Sequence, residues 1–314
     1  MRIATNAYTE QMLNQFNALM YQQSNLQSQV STGLRVQAPA DDPTAMQNTL
    51  GYLANQSTQA QYSANIGTLQ TRATSVDGVL QSLQTIVSRA GEIATAAGGA
   101  TTSQSDLNNY ADEVNTLINE VVTAANTKDP STGKYLFGGT ASGSAPFTTT
   151  TDANGNVTAV TYNGNSTVNQ SQIGAGLTAS ADIPGANTSG TGARGLITDS
   201  QSGADLLNHL ISLRNDLTSG DTTTITNTDS ANIQKDENNI AYQVANNGVV
   251  QNQLSAAGNF ATSSSQNLSQ MISNSSSADL MNTMVQLSQA QTAYQAALQS
   301  GVKIMNLSIL NYIS

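Results

Sequence analysis

The chain has 314 residues and a net charge of −10, and only 10% of its residues are charged, against about 25% in ordinary domains. It contains no Cys, no Trp and one His, His209. The missing thiols exclude cysteine nucleophiles and zinc–thiolate centres, and one His is too few for most histidine metal sites. The ten Lys and Arg residues are scattered singly, which argues against nucleic-acid binding and attachment to anionic lipid. No apolar run approaches the ~20 residues of a membrane span, and the N-terminus lacks the apolar segment of a secretory signal peptide.

The first predicted helix has apolar residues at alternating steps of four and three, which is the spacing of a coiled coil. Its seam is Met12, Phe16, Leu19, Leu26 and Val30, with Gln23 filling one position. Gly33 stands at the next step and predicts the end of the helix.

A second helix is predicted from Pro43 to about Ala97, where Gly98-Gly99 ends it. Asp42 before Pro43 is a strong helix start, because Asp caps the first turn and Pro suits its first position. Asp41-Asp42 could instead be a catalytic or metal-binding carboxylate pair, but capping explains these residues better. A third helix is predicted over about 104–126.

Between Ser131 and Asp199 the helical periodicity stops, and Gly, Thr, Ser and Asn dominate. Asn154-Gly155 and Asn163-Gly164 bracket an alternating run, which predicts a β-hairpin. We expect a small β-rich domain here, with a thin core and the lowest stability of the molecule. The Asx-rich tract from Asp152 to Asn165 lacks the alternating acidic ligands of a calcium loop, so turn chemistry is favoured.

Helical spacing returns in the C-terminal part of the sequence. One helix is predicted around Leu206, Leu210, Leu213 and Leu217, with His209 interpreted as a partly buried or surface residue and not as a ligand. A long helix follows over about 231–272, where Asn246-Asn247-Gly248 is a possible break. The last helix begins near Ala278-Asp279. Its predicted seam is Leu280, Met284, Leu287, Tyr294, Leu298 and Met305, with Gln291 and Gly301 in two seam positions.

These patterns predict a mainly α fold: an elongated antiparallel coiled-coil helical bundle built from both termini, with an inserted small β-rich domain. Three domains are expected. Residues 1–42 and 276–314 form a terminal coiled-coil domain, 43–140 and 200–275 a central helical bundle, and 141–199 a variable, outward-facing β-rich domain.

The terminal seams are short and interrupted, so we expect about residues 1–40 and 276–314 to fold only when neighbouring copies cover them. The alternative is that they are ordinary core helices of a single-chain bundle. The residues predicted to form an interface between copies are Met12, Phe16, Leu19, Leu26, Val30, Leu280, Met284, Leu287, Tyr294, Leu298, Met305, Leu307 and Leu310.

Several segments resemble the flagellin superfamily and, within it, the hook-associated protein 3 family. They are Met1-Arg2-Ile3-Ala4-Thr5, then Ser31-Thr32-Gly33-Leu34-Arg35-Val36 with Asp41-Asp42-Pro43, Gly133-Lys134-Tyr135-Leu136-Phe137-Gly138-Gly139 with Ala145-Pro146-Phe147, and, near the end, Ala278-Asp279-Leu280, Gln289-Ala290-Gln291-Thr292-Ala293 and Leu307-Ser308-Ile309-Leu310-Asn311-Tyr312.

This resemblance implies a structural, non-enzymatic protein without cofactors, secreted to the bacterial flagellum. Such proteins are exported unfolded through the type III apparatus, with an export chaperone on the C-terminal helix. They form a ring of identical subunits at the hook–filament junction, between the first hook-associated protein and flagellin. Two alternatives stay open: the flagellin filament subunit itself, and a secreted coiled-coil adhesin whose β-rich domain binds a surface ligand.

Overall fold

The computed structural model describes residues 2–99 and 102–313, and within them the side chains of 10–99 and 102–303. It is 66% helical, which confirms the predicted mainly α class with a small inserted β-rich region. The helices are α1 (Arg2–Thr32), α2 (Pro43–Ala97), α3 (Gln104–Ala125), α4 (Leu206–Ser219), the single turn α5 (Thr222–Thr224), α6 (Ser230–Ser276) and α7 (Leu280–Ile313), with a π-helical turn at Ile225–Asp229 before α6. The strands are β1 (Phe147–Thr151), β2 (Val157–Tyr162), β3 (Ser171–Gly174), β4 (Leu177–Ala179), β5 (Ala186–Asn187), β6 (Thr198–Asp199) and β7 (Ala204–Asp205).

Local capping signals set the ends of the first two helices. Gly33 follows α1 with a φ of 73°, a left-handed conformation that favours glycine and ends the helix. Asp42 precedes α2, and its Oδ1 accepts a hydrogen bond from the Ala45 amide at 3.0 Å. That contact satisfies an amide of the first turn, as the capping prediction requires.

The predicted weak point in α6 does not break the helix. Asn247 is buried, and its Nδ2 donates to the carbonyl oxygen of Ala73 in α2 at 3.1 Å. The Asn247 side chain therefore forms a hydrogen bond between two helices and does not compete for the backbone hydrogen bonds of α6.

The chain divides into two compact units, one of residues 1–58 with 263–314 and one of residues 59–262. Both boundaries fall inside helices, α2 and α6. The predicted division into three domains is finer than this one and stays a prediction.

The second unit has one main apolar core, to which helices and the β-rich segment both contribute. Phe137, Phe147, Val157 and Ile197 lie buried in the same cluster as residues of α2, α3 and α4. The β-rich segment therefore shares its core with the helices and does not form a separate one. The segment has too few large apolar residues to enclose a core alone, and it buries them against the helices.

The strands form three small sheets. β1 and β2 make an antiparallel hairpin, β3 pairs antiparallel with β4, and β6 pairs parallel with β5 and antiparallel with β7. The first hairpin turns at the predicted Asn154-Gly155, where Gly155 has a φ of 85°. The Asp152 Oδ1 accepts hydrogen bonds from the amides of Asn154 at 2.8 Å and Asn156 at 2.9 Å. The contacts with Asn156 lower the pKa of the Asp152 carboxyl.

Candidate assembly interface

In the first unit, α1 and α7 pack against each other in antiparallel directions. The rings of Phe16 and Tyr294 meet edge to face, with centroids 6.0 Å apart and planes at 81°. A Cβ on Gly301 would lie 2.8 Å from the Met12 Cε, so the glycine leaves the space that this methionine occupies. These contacts pair an early part of α1 with a late part of α7.

The predicted seam of α1 agrees with the burial pattern. Leu26 is buried, and Met12, Phe16, Leu19 and Val30 are half-buried, whereas Leu13, Met20 and Tyr21 on the other faces are exposed. The alternating spacing thus identified the side of α1 that is least open to solvent.

The predicted seam of α7 needs a correction. The buried or half-buried positions at steps of four and three are Thr283, Leu287, Ala290, Tyr294, Ala297 and Gly301. Leu287, Tyr294 and Gly301 were predicted seam positions, but Leu280, Met284 and Leu298 are exposed and lie off this seam. The side chains of Met305, Leu307 and Leu310 lie outside the described residues.

The error has a physical cause. Small side chains such as Thr283 and Ala290 let two helices approach closely, so the larger Leu and Met residues can stay outside. The prediction favoured large apolar residues and therefore combined positions from two faces of α7. The signal that would have found the seam was the unbroken spacing that includes the small residues.

A second apolar stripe on α7 is left uncovered by the described part of the chain. It consists of Leu280, Met281, Met284, Val285, Leu298 and Val302. Met281 is 79% exposed, and Lys303 carries the only charge among the described side chains of α7. Two groups of exposed apolar side chains on one helix, 280–285 and 298–302, are typical of a protein–protein contact.

An open groove runs beside the α1–α7 contact. Its volume is about 450 Å³, and Met12, Phe16 and Ala297 supply apolar lining between polar residues such as Gln15 and Ser300. Apolar surface of the seam itself is thus within reach of a further helix.

The connections at the far end of this helix pair are held together by backbone and side-chain contacts. Leu34 and Ser277 form an antiparallel bridge, and the Arg35 amide donates to the Ser276 carbonyl oxygen at 2.7 Å. The Arg35 guanidinium donates to the Ser275 carbonyl oxygen at 3.0 Å and to Asp42 at 3.2 Å. The segment between α1 and α2 is thereby fixed to the segment between α6 and α7.

The carboxylates of the Asp41-Asp42 pair are engaged in this turn. Asp41 Oδ2 accepts from the amides of Gln37 at 3.0 Å and Ala38 at 2.9 Å, and these contacts lower the pKa of Asp41. The pKa of Asp42 is lowered chiefly by the Ala45 amide. Groups that hydrogen bonds hold ionised in this way are suited to capping and not to proton transfer near neutral pH.

His209 forms a pair with Asp236 inside the second unit, with Nδ1 and Oδ2 2.8 Å apart. Burial opposes the charged imidazole, but the hydrogen bond and charge of Asp236 outweigh it and raise the pKa of His209. Burial raises the pKa of the Asp236 carboxyl. The prediction of a partly buried histidine is confirmed.

Within the ranges 2–99 and 102–313, no three His, Asp or Glu side chains are arranged to hold a metal ion. None of the described helices combines the length and apolarity needed to cross a bilayer.

Comparison with known proteins identifies the N-terminal part of the chain. Residues 3–142 match the family model of the bacterial flagellin N-terminal helical region. The matched segment contains α2, α3 and almost all of α1, so it includes one helix of the α1–α7 pair and the Asp41-Asp42 turn.

Two curated relatives are flagellar hook-associated proteins. Flagellar hook-associated protein 3 of Salmonella typhimurium is 31% identical over 148 residues, which is 47% of this chain and 46% of that protein. The protein of the same name from Escherichia coli is 29% identical over 148 residues. The chain therefore spans about half the length of the curated relatives it matches.

Solved structures share the fold over a larger part of the chain. A putative flagellar hook-associated protein from Vibrio parahaemolyticus has a TM-score of 0.64 at 20% identity, covering 76% of this chain and 100% of the solved one. The flagellar junction protein FlgL from Legionella pneumophila has a TM-score of 0.56 at 15% identity, covering 73% and 100%. These likenesses show a shared fold, and the curated relatives carry the name of the family that the sequence motifs resemble.

Proposed function

We propose that this chain is a structural subunit of the bacterial flagellum that forms the junction ring between the hook and the flagellin filament. Its ring neighbours are copies of itself, and its axial neighbours are the first hook-associated protein on one side and flagellin on the other. The observation that carries the proposal is the uncovered apolar stripe of α7, beside a seam that α1 already occupies.

The stripe supports assembly for an energetic reason. Burying apolar surface stabilises a contact by roughly 25 cal/mol per Å², so exposed Met281, Met284 and Val285 side chains favour association with further helices. The near absence of charge along α7 allows such packing between identical copies without repulsion between like charges. The names of the relatives agree with a flagellar role.

Export and delivery are parts of the same proposal. A chain that leaves the cell unfolded through the type III apparatus would keep α1 and α7 incompletely packed until neighbours cover them. An export chaperone that shields the α7 stripe in the cytoplasm would prevent premature association.

A deletion strain tests this function. Cells without the chain are expected to carry hooks without filaments and to release flagellin into the medium, as seen by electron microscopy and immunoblotting. Normal filaments would overturn the proposal. If the chain were instead the flagellin subunit, isolated filaments would contain it as their main component and not as a few copies.

Point variants connect this phenotype to the stripe. The double change Met281→Ser and Val285→Ser should abolish swimming while leaving the melting temperature of the purified monomer unchanged, because both side chains are exposed. Gln286→Ser, an exposed polar position about 140° around the same helix from Met281, is the matched control and should swim normally. Full motility of the double variant would show that the stripe has no role in assembly.

A further inference from the structure

Asparagine is directly followed by glycine at three places in this chain: Asn154-Gly155, Asn163-Gly164 and Asn247-Gly248. In such a pair the asparagine readily loses its side-chain amide without an enzyme. The backbone nitrogen of the following residue attacks the side-chain carbonyl carbon, and glycine, which has no Cβ, hinders this attack least. Because the dipeptide is the same at the three places, the fold decides where the reaction proceeds.

The pair inside α6 is the most restrained of the three. Asn247 and Gly248 are both helical, so the hydrogen-bonded backbone keeps the Gly248 nitrogen away from the side-chain carbon of Asn247. The Asn247 side chain is buried, and its Nδ2 donates to the Ala73 carbonyl oxygen at 3.1 Å. Ring closure at Asn247 therefore requires local unfolding within a 47-residue helix that packs against the core.

The pair after β2 has an exposed asparagine, but contacts hold the backbone on both sides of it. The Asn163 amide donates to the Pro146 carbonyl oxygen at 2.7 Å, and the Asn163 Nδ2 donates to the Thr148 hydroxyl at 3.0 Å. Gly164 packs so closely against Tyr162 that an added Cβ would collide with the phenol group. Ring closure at Asn163 therefore requires these packed and hydrogen-bonded contacts to open first.

The pair at the tip of the β1–β2 hairpin is the least restrained. Asn154 and Gly155 are both exposed, and a Cβ on Gly155 would meet nothing within 4 Å. Asp152 holds the turn: its carboxylate accepts from the Asn154 amide at 2.8 Å, and its carbonyl oxygen accepts from the Gly155 amide at 3.1 Å. The last residues of β1, 148–151, are exposed as well, so the tip can open without disturbing the core.

We propose that Asn154 is a site of spontaneous deamidation, and that in the folded chain it reacts ahead of Asn163 and Asn247. The Gly155 nitrogen forms a bond to Cγ of Asn154 while its proton passes to the departing amide. The Cγ–Nδ2 bond then breaks, ammonia leaves, and a succinimide ring remains. Water opens this ring at either carbonyl, which gives an aspartyl or an isoaspartyl residue. The inference is independent of the proposed flagellar role.

Both products change the tip of the hairpin. Each adds a carboxylate close to that of Asp152, which already accepts the amides of this turn. An isoaspartyl residue also routes the main chain through the side-chain methylene, and the longer chain cannot keep the hydrogen bond between Gly155 and Asp152. Because the change lies in solvent, Phe147 and Val157 should stay buried in the main core.

The test follows deamidation of the purified, folded chain at mildly alkaline pH, where the attacking nitrogen loses its proton more readily. Samples are taken over time and digested, and mass spectrometry records the mass gain of each peptide that contains an Asn-Gly pair. Isoaspartate is detected by labelling with an isoaspartyl methyltransferase. The Asn154 peptide is expected to react about ten times faster than the other two, or more, because its site opens most easily.

The chain unfolded in guanidinium chloride is the control for the fold, and its three Asn-Gly pairs should react at similar rates. Asn154→Gln keeps an exposed amide but closes the corresponding larger ring far more slowly, so its hairpin peptide should gain no mass over the same period. Equal rates at Asn154 and Asn163 in the folded chain would overturn the inference. So would an Asn154 that reacts in the unfolded chain and stays unchanged in the folded one.

Discussion

The two units differ in what they do with their apolar residues. The second unit buries one face of each of α2, α3 and α4, including Leu83, Ile118 and Leu210. In the first unit, the buried apolar side chains among those described are Leu26, Val36, Ala45 and Ala290. The second unit thus encloses an extensive apolar core, whereas the first leaves much of its apolar surface exposed. Buried and exposed apolar side chains are therefore concentrated in different parts of one chain.

The largest loss of stability is expected when a buried charge of the second unit is removed. Arg72 in α2 contacts Asp182 at 2.5 Å and Asp129 at 3.2 Å, and its guanidinium donates to the Leu136 carbonyl oxygen at 2.8 Å. Removing one member of a buried ion pair leaves the other uncompensated, at a cost of about 3–5 kcal/mol. Arg72→Ala should lower the free energy of unfolding by that amount in urea titrations.

Arg89→Ala is the matched control for this measurement. Arg89 pairs with Glu113 and Glu92 on the exposed side of the bundle, where such pairs contribute about 0–1 kcal/mol. Equal losses for the two arginine variants would show that burial does not distinguish them.

The comparison is tested most directly by truncating one apolar residue in each unit. Leu210→Ala, at a fully buried position, should destabilise the purified monomer by about 2–5 kcal/mol. Met284→Ala, at an exposed position of the α7 stripe, should change monomer stability by about 0.5 kcal/mol or less, as is usual for surface substitutions. In isolated flagella the order should reverse, with Met284→Ala causing the greater loss of resistance to protease. A monomer destabilised equally by both changes would remove the distinction between the units.

The acidic cluster beneath α4 gives the second unit a pH dependence. Asp229 is buried, and burial together with the neighbouring Asp216 raises its pKa from 3.8 to about 6. Because the pKa is higher in the folded state, protonated Asp229 stabilises the folded chain. This contribution is complete below pH 3.8 and is lost as the pH rises through 6. The raised pKa of His209 acts in the same direction.

Thermal unfolding should therefore show a falling melting temperature between pH 4 and pH 7. Asp229→Asn should flatten this slope and raise stability at pH 8 by about 1–3 kcal/mol, because Asn cannot ionise and so avoids the cost of a buried carboxylate. Asp112→Asn, an exposed substitution on α3, should leave the slope as it is. If the melting temperature of the wild-type chain did not change over this range, the raised pKa of Asp229 would be contradicted.

The smallest expected effect concerns a glycine inside α2. Gly67 is helical, and a Cβ there would meet nothing within 4 Å. Gly67→Ala should stabilise the monomer by about 0.5–1 kcal/mol, because Ala loses less backbone freedom on folding. Differential scanning calorimetry checks this. A loss of stability would mean that the helix needs the glycine for a reason other than space.

Where a residue decides structure locally, the sequence by itself determined the outcome. Asp42 with Pro43 starts α2, Gly33 ends α1, and Asn154-Gly155 turns the first hairpin, because each acts through its own backbone conformation or nearest amides. The flagellin-like motifs likewise depend on residue identity alone. The ends of these helices and the likeness to flagellin-type sequences were therefore predictable.

Tertiary structure alone decided which partner each side chain found. The choice of Thr283 and Ala290 for the α7 seam depends on how closely α1 approaches, and the burial of Phe147 and Ile197 in the helical core depends on how the β-rich segment folds back. The pairing of His209 with Asp236 likewise joins two helices. Such contacts link residues far apart in the chain, and no local preference specifies them, because their free energy comes from packing that exists only in the assembled fold.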